Sequence, residues 1–170
     1  MGRLIDYANM SIRDITENMG SEEFDPYILE AEEVDIKQIL GNALFTDLVN
    51  NPEATTPPYA TLLAGGSYTD GDYTYEFKGL RHALQYYAWS RYIENPYIHT
   101  VSGLTNHDDA FGTKPTQDEL KKLSDNVRSL AFAFMTDVTE YLTRKSADFP
   151  LWNCGSSRNR SGQVKIRIIG

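Results

Sequence analysis

Between Thr116 and Lys145 the chain runs without a proline or glycine. Leu120, Leu123, Val127, Leu130, Phe134, Val138 and Tyr141 recur there at spacings of three and four. That period is one face of an α-helix. Thr116 and Glu119 stand in the S/T-x-x-E order of a capping box, in which each side chain satisfies the other residue's backbone N–H. Arg144 and Lys145 close the segment where the helix dipole favours cations. At 1.5 Å per residue such a helix is roughly 40 Å long. One apolar face of that length must be covered by other elements, so the segment predicts a mainly α fold, a small helical bundle with a long C-terminal helix. Leu123, Val127, Leu130 and Phe134 are the expected core positions, facing Leu80, Leu84 and Tyr87 of a partner helix.

That partner spans about 78–94, where Leu80, Ala83, Leu84, Tyr87 and Ala88 keep helical spacing. Tyr86, Trp89, Tyr92 and Ile93 make it apolar on more than one stripe, as in a central helix or one covered by a neighbouring subunit. Upstream, a helix is expected to start at Asp25-Pro26, with Asp25 as cap and Pro26 at the first position. Its inner stripe would be Ile28, Leu29, Ala31, Ile36, Ile39 and Leu40, ended by Gly41. A short helix from Asn42 to about Asn50 and a single turn at Tyr59–Leu63 follow. Asp70-Gly71 marks a β-hairpin over about 67–77, where Tyr73, Tyr75 and Phe77 alternate with polar residues.

Two segments fall outside this pattern. Residues 95–116 form a loop longer than the ~12–15 residues common in compact domains. It carries Ile98, Val101, Leu104 and Phe111, expected at a subunit interface. Beyond Phe149-Pro150-Leu151-Trp152, an apolar anchor, composition changes. Residues 1–152 thus read as the helical domain and 153–170 as an extended basic tail. In the tail a flexible Gly/Ser stretch precedes Val164, Ile166 and Ile168 alternating with Lys165 and Arg167. This is a period-two strand on a tether, which needs a sheet to join. Either another chain's sheet or the chain's own hairpin would serve.

Charge follows the same division. The chain has 16 Lys+Arg against 24 Asp+Glu, a net charge of −8. Residues 154–170 hold Arg158, Arg160, Lys165 and Arg167 and no acid, so the body is more acidic still. An acidic body excludes general nucleic-acid binding, which needs a basic face for phosphates. The stretch Glu17–Asp35 has eight acids and no base and reads as a solvated face or a surface for a basic partner. Cys154 is the one cysteine, which excludes an intrachain disulfide and a multi-thiolate zinc site. With no apolar run of ~18 residues and no leader pattern, a soluble, cytoplasmically folded protein without membrane contact is expected.

No phosphate-binding, dinucleotide, zinc-protease or nucleophile-elbow motif is present. His99 with His107-Asp108-Asp109 could be drawn as a metal site, but it reads as a polar loop. His82 reads as a helix-surface or packing residue, and Cys154 lacks a partnering histidine. No catalytic, cofactor-binding or metal residue is assigned, and the chain is expected not to be an enzyme.

Pro26-Tyr27-Ile28, Leu40-Gly41-Asn42-Ala43-Leu44-Phe45-Thr46-Asp47-Leu48, Tyr59-Ala-Thr-Leu-Leu-Ala-Gly-Gly and Phe77-Lys78-Gly79-Leu80-Arg81-His82-Ala83-Leu84 follow in that order. With Tyr86–Asn95 and Pro150-Leu151-Trp152, this succession resembles the tailed-bacteriophage head-to-tail connector proteins, also called adaptor or head-completion proteins. The resemblance covers roughly 24–152 and rests on order rather than on any single motif. It implies a helical subunit that forms a ring, typically of twelve copies, beneath the portal at the head-tail junction of the virion, after assembly in the host cytoplasm. The ring extends the DNA channel, which DNA traverses without specific binding, and offers a docking surface to the tail or further connector proteins. The tail residues Arg158, Arg160, Val164, Lys165, Ile166, Arg167 and Ile168 are expected to bind the portal or a neighbouring copy. A tail-completion or tail-terminator protein, a small metal-dependent enzyme, or a free-standing module that donates its tail strand are the competing readings.

Overall fold

A computed structural model describes residues 3–5, 10, 21–95 and 116–152; of 21–23 the backbone alone is described. The expected loop residues Ile98, Val101, Leu104 and Phe111 and the tail residues from Arg158 to Ile168 lie outside these, as do His99 and His107. The fold is mainly helical. Helix α1 (Ser21–Glu30) runs through a π-helical turn (Ala31–Ile36) into α2 (Lys37–Leu40). Then come α3 (Asn42–Asn50), α4 (Tyr59–Ala64), strands β1 (Gly66–Asp70) and β2 (Tyr73–Phe77), α5 (Leu80–Glu94) and α6 (Gln117–Arg144). A 3-10 turn (Ser146–Asp148) follows.

The two long helices, α5 and α6, form the centre, and α1 with its π turn lies against α5. The capping box at Thr116 is formed: Glu119 N–H donates to Thr116 Oγ1, and Thr116 N–H donates to Glu119 Oε2 at 2.7 Å. Gly41, with φ of 79°, separates α2 from α3. Leu44, Phe45 and Leu48 of α3 are buried as the spacing predicts.

The register of α6 departs from expectation. Leu120, Ser124, Val127, Ala131, Met135, Val138, Tyr141 and Leu142 face inward. Leu123 and Leu130 are 42% and 49% exposed, and Phe134 is only partly buried. The cause is close helix packing. Small residues on both sides (Ala83, Ala88 and Ser90 on α5; Ser124 and Ala131 on α6) are all buried and let the backbones approach. The Ser124 hydroxyl bonds across the interface, with Ser90 O and Glu94 Oε1 each at 3.0 Å. Large leucines would hold the helices apart, and they stand at the flank instead. Leu80, Leu84 and Tyr87 are buried as expected.

The first helix also differs. It starts at Ser21, with Pro26 inside it, so Asp25 is not a cap. Pro26 costs one backbone bond, but the earlier start puts Phe24 in the core, 5.6 Å from the Tyr92 ring. Asp25 pairs with Arg3 at 2.8 Å. Leu29 is 40% exposed rather than inward, whereas Ala31, Glu32, Asp35 and Ile36 are buried. The wide turn, in which Lys37 N–H reaches Glu32 O, rotates two acids into the interior. The acid-rich stretch is therefore not a wholly solvated face.

The hairpin forms as expected, with Gly66 opposite Phe77 and Asp70 opposite Tyr73. Its neck is two glycines in mutual contact. Gly65 and Gly79 have φ of 82° and 84°, and a Cβ on Gly79 would lie 2.3 Å from Gly65 N. No side chain fits where the chain enters and leaves the hairpin. Tyr68 and Phe77 pack on Tyr141 of α6 at 4.9 and 4.7 Å. Phe149, fully buried, lies 5.7 Å from the same ring, so the expected C-terminal anchor folds back there.

Candidate functional site

Among the described residues the chemistry-bearing ones gather at three places. The first is the π turn. Arg91 of α5 donates through Nε to Asp35 Oδ2 at 2.7 Å and through Nη1 to Glu30 Oε1 at 2.6 Å. Arg128 of α6 reaches Asp35 Oδ1 at 3.0 Å. Burial opposes the charge on Arg91, but the Asp35 hydrogen bond and the carboxylates of Asp35, Glu30 and Glu94 outweigh it and hold its proton more firmly than usual. One buried carboxylate thus ties α5 and α6 to the π turn.

In the same turn, Glu32 accepts from Leu4 N–H at 2.7 Å. Burial pushes the Glu32 carboxyl up to about 7, against the backbone N–H groups of Leu4 and Ile5 and the charge of Arg3. Arg81 Nε holds Leu4 O at 2.9 Å, and Leu4 is fully buried. This acid therefore docks the residues around Leu4 into the core.

The second place is the surface of α6. Leu123 and Leu130 lie two turns apart on one flank of its buried stripe. On the opposite flank Phe132, 66% exposed, borders a shallow depression with Val34, Ile39, Tyr87 and Arg128. Val34 is itself 42% exposed. Apolar side chains thus stand on both sides of the helix, and the Asp35–Arg128 pair joins the Phe132 side to the π turn. The sequence held this signal in a form easily missed: α6 carries more large apolar residues than one buried stripe takes.

The third is the hairpin end. Arg144 stacks on Tyr75 at 4.3 Å and bonds Asp70 at 2.7 Å and Glu140 at 2.7 Å. Those bonds raise its already high pKa further. His82, expected as a surface or packing residue, packs between Tyr86 and Phe134 at 5.1 and 4.6 Å, and burial lowers its pKa. Among the described residues no cluster of three or more His, Cys, Asp or Glu is arranged to hold a metal ion. No helix among them is long and apolar enough to cross a membrane.

The model of a family described as of unknown function, DUF6712, matches residues 36–162. That match takes in the π turn's end, the hairpin and all of α5 and α6. No curated protein and no solved structure matches.

Proposed function

We propose that this chain, which belongs to the DUF6712 family, is a structural subunit of a head-to-tail connector ring. In this reading it docks on the portal, extends the DNA channel and gives the tail or further connector proteins their attachment surface. Neighbouring copies of the chain are its lateral partners, and its place is the head-tail junction of the virion. It needs no cofactor for this work.

One observation carries the reading. Leu123 and Leu130 on one flank of α6, and Phe132 with Val34 on the other, leave a long central helix apolar on two sides. A ring subunit meets one neighbour on each side through two different faces. Each of these side chains is already about half buried, so full cover by a neighbour would contribute ~1 kcal/mol apiece, about half the value for a wholly exposed one. The acidic balance of the body supports a channel wall, because a basic wall would hold phosphates and slow passage. Loop residues Ile98, Val101, Leu104 and Phe111 and the basic tail remain proposed contacts with the neighbour and the portal.

The test is assembly. The purified chain mixed with its cognate portal should yield portal-capped rings by electron microscopy, and the chain should be found in purified virions. Leu130→Ser with Phe132→Ser should keep the subunit folded and abolish ring formation. A wild-type chain that stays monomeric with portal, and is missing from virions, would overturn the proposal.

A further inference from the structure

Residues 3–5 belong to no helix or strand, yet Leu4 and Ile5 are only 0% and 3% exposed. Buried backbone outside a helix or sheet must find its hydrogen bonds elsewhere. At Leu4 both come from charged side chains of the body. Its N–H donates to Glu32 Oε1 at 2.7 Å, and its carbonyl accepts from Arg81 Nε at 2.9 Å. Glu32 also accepts from the Ile5 N–H. Arg3 pairs with Asp25 of α1 at 2.8 Å. A carboxylate from the π turn and a guanidinium from α5 thus grip one residue by its two backbone ends.

The two jaws of this clamp fare differently when the segment leaves. Arg81 has further partners: its Nη2 donates to Pro52 O at 2.5 Å and lies 3.5 Å from Glu53 Oε1. It stays in place. Glu32 is buried with Leu4 seated on its carboxylate, so departure of Leu4 and Ile5 lets water reach it. The charged groups acting on Glu32 are Arg3 on the segment, which favours the ionised form, and Glu33 in the π turn, which opposes it. Arg3 is shared with Asp25, and Arg81 with Glu53. Burial outweighs the rest and brings the Glu32 carboxyl to about 7 with the segment seated, against 4.5 in water. Seating therefore takes up a proton. Its contribution is complete below the open-state value and is lost as pH rises through the seated one.

The bonds that join α5 to α6 lie elsewhere. The Ser124 hydroxyl joins Ser90 and Glu94, and Asp35 joins Arg91 to Arg128. A segment held by a few side-chain bonds, on a body joined by its own contacts, is the kind of unit that opens below the energy of global unfolding. We infer that residues 3–5 act as a strap that leaves the helical body without unfolding it, and that the strap loosens as pH rises from 5 to 8. Opening uncovers Leu4 and Ile5 and turns Glu32 and Arg81 toward the vacated place.

This inference does not use the connector reading, and failure of the portal-binding test leaves it untouched. Amide exchange of the full chain tests it, with each rate divided by the intrinsic rate at that pH. The Leu4 and Ile5 N–H groups should exchange ~10-fold or more faster than those of Ala88 and Met135, and low urea should barely change them. Between pH 5 and 8 their exchange should rise by up to ~70-fold, the ratio set by the two Glu32 values. Protection equal to that of the body, or no rise with pH, would overturn the strap. Two variants locate the cause. Glu32→Gln keeps an acceptor without the titration and should remove the rise. Arg81→Met loses the grip on the Leu4 carbonyl and should speed Leu4 and Ile5 exchange at every pH, with the rise retained. A rise that survives Glu32→Gln, or exchange unmoved by Arg81→Met, overturns it as well. The wild-type series decides alone where a variant does not fold.

Discussion

The π turn and the hairpin attach to the same pair of helices by opposite means. The π turn is held by buried charge: Asp35 between Arg91 and Arg128, with Glu32 beneath Leu4. The hairpin is held in the interior by rings, Tyr68 and Phe77 on Tyr141 with Phe149 behind, and its one ion pair to α6, Arg144 with Asp70, lies at the partly exposed end. Buried ion pairs add little net stability over an apolar substitute, yet breaking one is costly. Ring packing contributes apolar area directly and does not respond to pH between 4 and 8. The contrast assigns the two attachments different failure modes, one electrostatic and one of volume.

Removing the ring at the centre of the hairpin attachment should have the largest effect. Tyr141 is 4% exposed and touches three other rings. Tyr141→Ala should cost ~3–5 kcal/mol, as large-to-small aromatic changes in cores do. Chemical denaturation would read it, and a loss below about 1 kcal/mol would mean the hairpin is held elsewhere. On the charged side, Asp35→Ala removes the buried partner of Arg91, leaving Glu30 as its bonded carboxylate among the described residues, and should cost about 3 kcal/mol, the low end for a broken buried pair. The low end applies because Arg128 and Glu30 reach water. Adding Arg91→Met should recover part of that loss; no recovery would show that the pair itself, not the stranded charge, carries the energy.

Acidity separates the two attachments further. The Glu32 carboxyl titrates at about 7 in the fold against 4.5 when free. A raised acid stabilises the fold fully below the unfolded value, and that contribution is lost as pH rises through the folded value. Arg3 and the Leu4 and Ile5 N–H groups pull the other way, and Glu33 adds to the rise. Stability from this group should therefore fall between about pH 4.5 and 7, by on the order of 3 kcal/mol at most. Glu32→Gln should flatten that slope while Tyr141→Ala leaves it intact. An unchanged slope in Glu32→Gln would remove Glu32 as its source.

Local signals explain which parts were legible in the sequence. The capping box, the Gly41 break and the Asp70-Gly71 hairpin are written in adjacent residues, and all three form. The π turn is not written locally. A 3.6-residue period treats Glu32 and Asp35 as surface; arginines brought from α5 and α6 offset the burial of Asp35, and the Leu4 and Ile5 N–H groups with Arg3 partly offset that of Glu32. The register of α6 was hidden for a related reason. Hydrophobicity favours Leu123 and Leu130 for the core, whereas close helix approach favours Ser124 and Ala131. The two exposed leucines of the candidate surface follow from that substitution, and no scan for large apolar residues alone would separate them from the core.

Neighbouring residues on α6 give the smallest effect and the finest test of this register. Ala131 is fully buried against α5, while Leu130, one residue earlier, is half exposed. Ala131→Leu forces extra methylenes into a close helix contact and should cost ~1–3 kcal/mol. Leu130→Ala removes a side chain that already meets water, and surface changes of this kind stay within about 0.5 kcal/mol. The order is the reverse of what side-chain size alone suggests. If Leu130→Ala proves the costlier of the two in a monomeric sample, α6 is rotated and Leu123 and Leu130 belong to the core. If Leu130→Ala is neutral in the monomer but lowers the melting temperature of an assembled ring, the cost arises at the subunit contact. That outcome would separate the energy that folds this helix from the energy that assembles it.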